Sequence, residues 1–199
     1  MTEKTGVLAL DLSLSNTGWA VLSAGPTLVQ TGTFTLGTRR KDERRAEWNL
    51  RRYAALRANV QILLGRFVPQ VIAWEYQDKP FHAHWNSQTA TAGSEFNAMS
   101  GLALAEGMLV GVLSEQIGLE SRAVPRSEAK RIVTGNPNAS KTQVRSVMAA
   151  RYGWLLAGLT DDETDAAAIG LAVLEPALYQ PLGDDMGRLL GAIRRGRRR

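Results

Sequence analysis

VLALDLSLSNTGWAVL, residues 7–22, is the stretch whose reading decides the fold. An apolar run carries an aspartate, Asp11, passes a polar turn holding Ser13, Ser15, Asn16 and Thr17, and resumes as a second apolar run. The pattern predicts a β-hairpin with a carboxylate in the middle of its first strand. Gly18, with the turn residues, is assigned to the reversal, because glycine adopts backbone angles that other residues resist. A charge inside an apolar strand needs a partner, since burying it alone is costly. That partner is either a divalent cation shared with other carboxylates, or a structural one such as a turn or a buried arginine. Asp11 alone does not decide between them.

Working outward, Leu28–Leu36 alternates and is rich in Thr and Val, which predicts a third strand. Gly37–Asp42 is a basic loop, and a helix follows from about Glu43 to Phe67. Its apolar stripe is Trp48, Tyr53, Leu56, Val60, Leu63, Leu64 and Phe67, and Pro69 ends it. Val71–Tyr76 reads as a short buried strand that carries a second carboxylate, Glu75. After an irregular loop, Gln77–Asn86, the small-residue-rich segment Ser87–Ile117 predicts a long helix closed by Gly118. Its small residues permit close packing, either on the sheet or against a second copy of the chain. Glu120–Val124 is a fifth strand, and Ser127–Val133 a brief helix ending at Gly135. Ser140 is placed to cap a helix over Lys141–Tyr152, and a last helix runs from Asp161 to about Leu178. Strands and helices in the order β-β-β-α-β-α-β, then helical, make one α/β domain over residues 1–180, with a basic tail at 181–199. Trp19, Trp48 and Trp74 fall on apolar faces and are assigned to the core.

A chain of 199 residues buries a proper core, and its 44% hydrophobic and 22% charged content is that of an ordinary soluble domain. No apolar run is long enough to span a bilayer, and residues 1–6 carry no signal-peptide core, so a cytoplasmic protein without a membrane partner is expected. The absence of cysteine excludes disulfides and thiolate metal sites. A net charge of +5 admits a polyanionic partner. The positive residues cluster. Arg39, Arg40, Lys41, Arg44, Arg45, Arg51 and Arg52 form one group, and Arg126, Lys130, Arg131, Lys141 and Arg145 a second. Arg194, Arg195, Arg197, Arg198 and Arg199 end the tail. Each run taken singly reads as a solvated face; three together point towards nucleic acid.

Asp162 and Asp165 open the last helix three residues apart, on one helical face. The helix dipole also favours acids there, and for Asp162 taken alone that structural reading is the favoured one. Asp165 is followed by Ala166-Ala-Ala-Ile-Gly-Leu-Ala172, small neighbours that imply a sheet-facing surface. Acids converging on a core repel one another unless cations neutralise them, and all-oxygen ligands suit Mg²⁺ or Mn²⁺.

These motifs, in this order, resemble the RuvC Holliday-junction resolvases of the RNase H-like (retroviral integrase) superfamily, from Asp11 to about Leu174. Asp11 stands in a D-x-S-x-x-x-T-G-W/Y-A setting similar to that family's first strand, and Glu75 matches the Glu that ends its fourth. Asp162-Glu-Thr-Asp165-Ala-Ala-Ala-Ile169 looks like its D-x-x-D-A-x-A-I helix. Ala129-Lys-Arg-Ile-Val-Thr-Gly135 and Ala139-Ser-Lys-Thr-Gln-Val144 resemble its V-K-x-x-V-x-G and x-K-x-Q-V segments. The resemblance implies a mixed five-stranded sheet flanked by helices. It also implies two Mg²⁺ or Mn²⁺ ions held by Asp11, Glu75, Asp162 and Asp165, with Lys141 or Lys130 beside the scissile phosphate. Four-way DNA junctions would be the substrate and a homodimer the working form. The loop Asp78–Trp85 and the residues after Arg188 depart from the family pattern, which points to a divergent member of bacterial or phage origin.

Phe81, His82, His84 and Trp85 lie in that divergent loop. His-x-His without further ligands is a weak metal signal. Phe81 and Trp85 either stack on unpaired bases at a junction centre or pack beneath the loop. The remaining DNA-contact candidates are Arg39, Arg40, Lys41, Arg44, Arg126, Arg131 and Arg145, together with Lys130 and Lys141. Rival readings are a broader branched-DNA, flap or hybrid nuclease of the same fold, a sugar-kinase/actin fold, and a non-catalytic junction binder. The sugar-kinase reading lacks its phosphate-loop glycine and a second lobe; the binder leaves four matched acids idle.

Overall fold

The computed structural model describes residues 6–13, 15–76, 92–153 and 158–175, with 92–102 as backbone only. The elements are β1 (Val7–Asp11), β2 (Asn16–Leu22), β3 (Leu28–Thr35), α1 (Arg45–Phe67) and β4 (Val71–Tyr76). They continue with α2 (Ala92–Ser114), β5 (Glu120–Pro125), α3 (Arg126–Thr134), α4 (Lys141–Tyr152) and α5 (Asp161–Leu174). The five strands form one mixed sheet in the order β3-β2-β1-β4-β5. β1 lies at its centre, antiparallel to β2 and parallel to β4, while β5 runs parallel to β4 at the edge. This is the α/β architecture expected from the sequence.

Side chains alternate across a strand, so parity decides which helices each residue meets. Leu8, Leu10, Trp19, Val21, Ile72 and Trp74 face one side and pack with Leu56, Val60, Leu63, Leu109 and Val112 of α1 and α2. Val7, Ala9, Ala20, Leu22 and Ala73 face the other, against α3, α4 and α5. Burying leucines of the first set contributes about 1.5–3 kcal/mol each. The second face is lined by small residues, and α5 answers with Ala166, Ala167 and Gly170. A Cβ built on Gly170 would lie 2.4 Å from Leu22 Cδ1 and 3.3 Å from Ala9 Cβ. α5 therefore rests close on β1 and β2.

Helix ends follow local chemistry. Ser140 caps α4, accepting from the Gln143 amide at 3.2 Å while Gln143 Oε1 accepts from the Ser140 amide at 2.8 Å. Thr160 and Glu163 make the same reciprocal pair at the start of α5, at 3.2 and 2.7 Å. Gly135 and Gly153 close α3 and α4 at φ 77° and 61°, a conformation that disfavours a Cβ. The structure moves several expected boundaries. α1 begins at Arg45, and α5 ends at Leu174 because Glu175 leaves helical geometry at φ −121°, ψ 43°. Residues 77–91 and 176–199, including the expected start of α2 and the basic tail, lie outside the described residues. Among the described residues no helix is long and apolar enough to cross a membrane.

Three local readings are corrected. Asp11 is the last residue of β1, not its middle, and the reversal is held by Ser13. Ser13 Oγ accepts from the amides of Ser15 and Asn16, both at 3.2 Å, and its carbonyl accepts from Thr17 Oγ1 at 3.2 Å. Gly18 lies inside β2, opposite Asp11, and takes no part in the turn. Trp19 and Trp74 are core, but Trp48 is only half-buried. It donates through Nε1 to the Gly37 carbonyl at 3.3 Å, and the Arg52 guanidinium lies 3.7 Å from its ring centre. That stacking lets Arg52, from the expected basic surface, be buried instead.

Candidate active site

Ala9 pairs with Ala73 in the parallel register of β1 and β4, so Asp11 and Glu75 are each two residues further on, sharing the face that α5 covers. Both acids thus reach the ends of adjacent central strands. α5 begins over β2, and the approach there is close. A Cβ on Gly18 would lie 2.2 Å from the carbonyl oxygen of Asp162 and 2.9 Å from its Cβ. Gly18 is the residue that lets the acidic first turn of α5 reach the strand beside Asp11. The sequence signal for this was a glycine within an apolar strand, which marks close backbone approach as well as turns.

The four sequence-selected acids form one electrostatic unit. Burial first, and then the charges of Glu75, Asp165 and Asp162, push the Asp11 carboxyl up to about 8, with Lys141 pulling the other way. Burial likewise raises Glu75, opposed chiefly by Arg126 and reinforced by Asp165. Lys141 Nζ stands 3.0 Å from Asp165 Oδ2 and 3.5 Å from Asp161 Oδ2. Burial would lower the Lys141 ammonium, but its hydrogen bond to Asp165 and the charges of Asp165, Asp161 and Asp11 hold it above its ordinary value. Glu163 is taken up by the helix cap.

The basic candidates separate. Lys130 Nζ donates to the Ala139 carbonyl at 2.7 Å, tying α3 to the loop before α4. Arg145 binds Thr164 Oγ1 through Nε at 3.1 Å and Nη2 at 3.0 Å, and also the Leu159 carbonyl. It therefore braces the first turn of α5. Arg126, the first residue of α3, faces Glu75 with Nε 4.0 Å from Oε2. Arg131 lies 4.0 Å from Glu128. In the first basic group Arg39, Arg40 and Lys41 are exposed, Arg44 pairs with Glu47, and Arg51 pairs with Glu43 at 2.8 Å. Phe81, His82, His84 and Trp85 lie outside the described residues. Asp161 and Arg145, beside the acids, and Gly18, beneath them, are the positions whose roles sequence reasoning missed.

The donor set is all oxygen, which suits a hard divalent cation. Among the described residues no three acidic or histidine side chains already stand together as ligands. The negative charge gathered around Asp11 is nevertheless what a cation would relieve, so the chemistry of the site fits one.

No protein-family model matches this chain, and neither does any curated protein. Solved structures do match. Thermus thermophilus RuvC in complex with Holliday junction substrate superposes with a TM-score of 0.64 over 87% of this chain and 95% of that one, at 18% identity. The chain has the RuvC fold. A second T. thermophilus RuvC structure gives 0.58 at 19% identity, over 85% of this chain and 94% of that one. The yeast mitochondrial Holliday junction resolvase Ydc2 gives 0.57 at 17% identity, over 86% of this chain and 78% of that one. The RuvC fold is an RNase H-like fold, as the motif order implied.

Two expectations follow. Gly18→Ala must displace the backbone of Asp162, and overpacking of this kind costs about 1–3 kcal/mol, or about 3–10 °C in Tm. Calorimetry should also find Mn²⁺ binding weakened at least about tenfold; an unchanged Tm would mean that α5 does not rest on Gly18. The second concerns pH. In metal-free protein Asp11 titrates at about 8 when folded and near the ordinary 3.8 when unfolded. The folded state then holds a proton that the unfolded chain has lost, so this group's contribution to stability falls as pH rises from about 4 to about 8. Asp11→Asn should therefore exceed the parent in Tm by at least about 5 °C at pH 8 and match it near pH 4. Parallel Tm–pH curves would show that Asp11 is not buried among like charges.

Proposed function

We propose that this protein is a metal-dependent endonuclease that nicks branched DNA, with four-way junctions as its preferred substrate. The reading is carried by one observation: on a RuvC fold, Asp11, Glu75 and the acids of α5 share one end of the sheet and one electrostatic unit. Asp11, Glu75, Asp162 and Asp165 would hold two Mg²⁺ or Mn²⁺ ions. Such ions, when bound, lower the pKa of a water and stabilise the oxygen that leaves phosphorus.

The chain's own residues supply the rest. The hydrolysis joins a water oxygen to phosphorus and breaks the bond to the 3′ oxygen, ending as a 5′-phosphate and a 3′-hydroxyl. Lys141, at the side of Asp165, would offset charge gathering on the attacked phosphate. Arg145 and the Thr160–Glu163 cap keep the α5 acids in place during the reaction. Domain 1–180 would carry catalysis. The exposed Arg39, Arg40 and Lys41, the α3–α4 cations and the 181–199 tail would grip DNA arms, with Phe81 and Trp85 at the junction centre. The same reading has it act in the cytoplasm of a bacterial or phage-infected cell.

Paired nicks on opposing strands require two active sites, which a two-fold dimer provides. α2 offers a surface for it: Leu104 and Val110 are exposed, and among the described residues a Cβ built on Gly107 or Gly111 meets nothing beyond the helix's own backbone within 4 Å.

The deciding experiment incubates end-labelled four-way, three-way, flap and linear DNA with Mg²⁺, Mn²⁺ or EDTA, beside Asp11→Asn. Paired symmetric nicks in the four-way junction are expected, lost with EDTA and reduced at least about 10³-fold by Asp11→Asn, with junction affinity retained. Equal cutting of flaps would make the protein a broader branched-DNA nuclease, and binding without cutting under either metal would sink the nuclease reading. Leu104→Glu should convert dimer to monomer in sedimentation and abolish paired nicking while single nicks persist. A parental sedimentation profile would move the dimer surface away from α2.

A further inference from the structure

Four cations surround the acids, and three of them have donors engaged inside the fold. Lys141 is bonded to Asp165, Lys130 to the Ala139 carbonyl, and Arg145 to Thr164 and the Leu159 carbonyl. Arg126 differs. Half of its side chain is exposed, and Glu75 lies 4.0 Å from its Nε, outside hydrogen-bond distance. Among the described residues no hydrogen bond holds its terminal nitrogens, so the planar end of the guanidinium keeps its donors.

Its location is defined by the sheet. Glu75 pairs with Val124 and Tyr76 with Pro125, so Arg126 follows directly where β4 and β5 stop. The site then has Lys141 on the α5 side and Arg126 on the β4 side. A guanidinium presents paired N–H groups that match two oxygens of one phosphate, whereas an ammonium acts as a point charge.

We infer that Arg126 is a substrate-contacting residue that binds the phosphate at the cleavage site from the Glu75 side. This rests on the nuclease reading. Lys130, by contrast, gives one of its three donors to the Ala139 carbonyl. Arg122 provides the comparison: it too is half-exposed and basic on β5, but it pairs with its own strand neighbour Glu120 at 2.7 Å.

The test uses the full chain with a four-way junction. Single-turnover cleavage with Mn²⁺ and metal-free binding across a salt series are measured for the parent, Arg126→Gln, Arg126→Lys and Arg122→Gln. Arg126→Gln should cut about 30–300-fold more slowly, and its slope of log K against log salt should become shallower by about 1. Arg126→Lys should keep the parental slope yet cut about tenfold more slowly, because it retains the charge and loses the fork. Arg122→Gln should match the parent in both readouts. All three variants alter half-exposed side chains, so Tm should stay within about 2 °C.

Parental rate and slope in Arg126→Gln would overturn the assignment. An equal loss in Arg122→Gln would overturn it too, by reducing Arg126 to one charge among many. A parent that cuts no branched DNA would remove the nuclease reading instead. The slope would then still decide whether Arg126 touches a phosphate.

Discussion

The first turn of α5 lies against β2 where Gly18 faces Asp11 across the hairpin, and the rest of the site depends on that contact. A side chain at position 18 would occupy the space of the Asp162 backbone. The contact is possible because small residues predominate on the sheet face beneath, with Ala9, Ala20 and Ala73 beside Val7 and Leu22, answered by Ala166, Ala167 and Gly170. Close backbone approach then carries acidic residues from a helix into range of acids on two strands. The first-turn acids of α5 are ordinary for a helix start. Their convergence with the strand acids is not.

Convergence has an electrostatic cost, and the fold opposes it from several sides. α4 presents Lys141 and Arg145 one turn apart, so that one bonds Asp165 while the other holds the loop and first turn that carry Asp162. Asp161 stands between the two cations, 3.5 Å from one and 3.7 Å from the other. On the strand side only Arg126 faces Glu75 at ion-pair range among the described residues. Even so, Asp11 remains with a carboxyl that ionises only near pH 8. Such a group destabilises the metal-free fold at neutral pH. Sites that break the rules of a stable core in this way are where function is expected.

Much of this was legible in the sequence because periodicity reports burial. The alternation of 7–22 and of 28–36, and the acids set in apolar runs, gave the strands and the positions of Asp11 and Glu75. The caps at Ser140 and Gly135 were equally local and equally readable. What failed was long-range. Gly18 reads as a turn residue until Asp162, far away in sequence, is known to press on it. A basic cluster reads the same whether its members are solvated or bonded. Arg52 under Trp48, Lys130 on Ala139 and Arg145 on Thr164 turned out to be fastened into the fold. Trp48 was misplaced for the matching reason, since helical spacing does not distinguish a core position from one covered by a cation.

The two faces of the sheet explain why the acids gather where they do. On the α1–α2 side the strands present Leu8, Leu10, Trp19, Ile72 and Trp74, and helices must stand off by the length of those side chains. A carboxylate on such a helix would face a wall of apolar atoms. Trp74 shows the consequence: its Nε1 bonds Glu106 of α2 at 3.0 Å, and that acid is occupied in holding the helix to the sheet. On the α5 side Gly18 and Gly170 allow close approach, and a Cβ on Gly18 would meet the Asp162 backbone. Parity then puts Asp11 and Glu75 on this face, because Leu10 and Trp74 take the other. The division between a face of large residues and a face of small ones is therefore the sequence property that selects α5, and not α1 or α2, to complete the site.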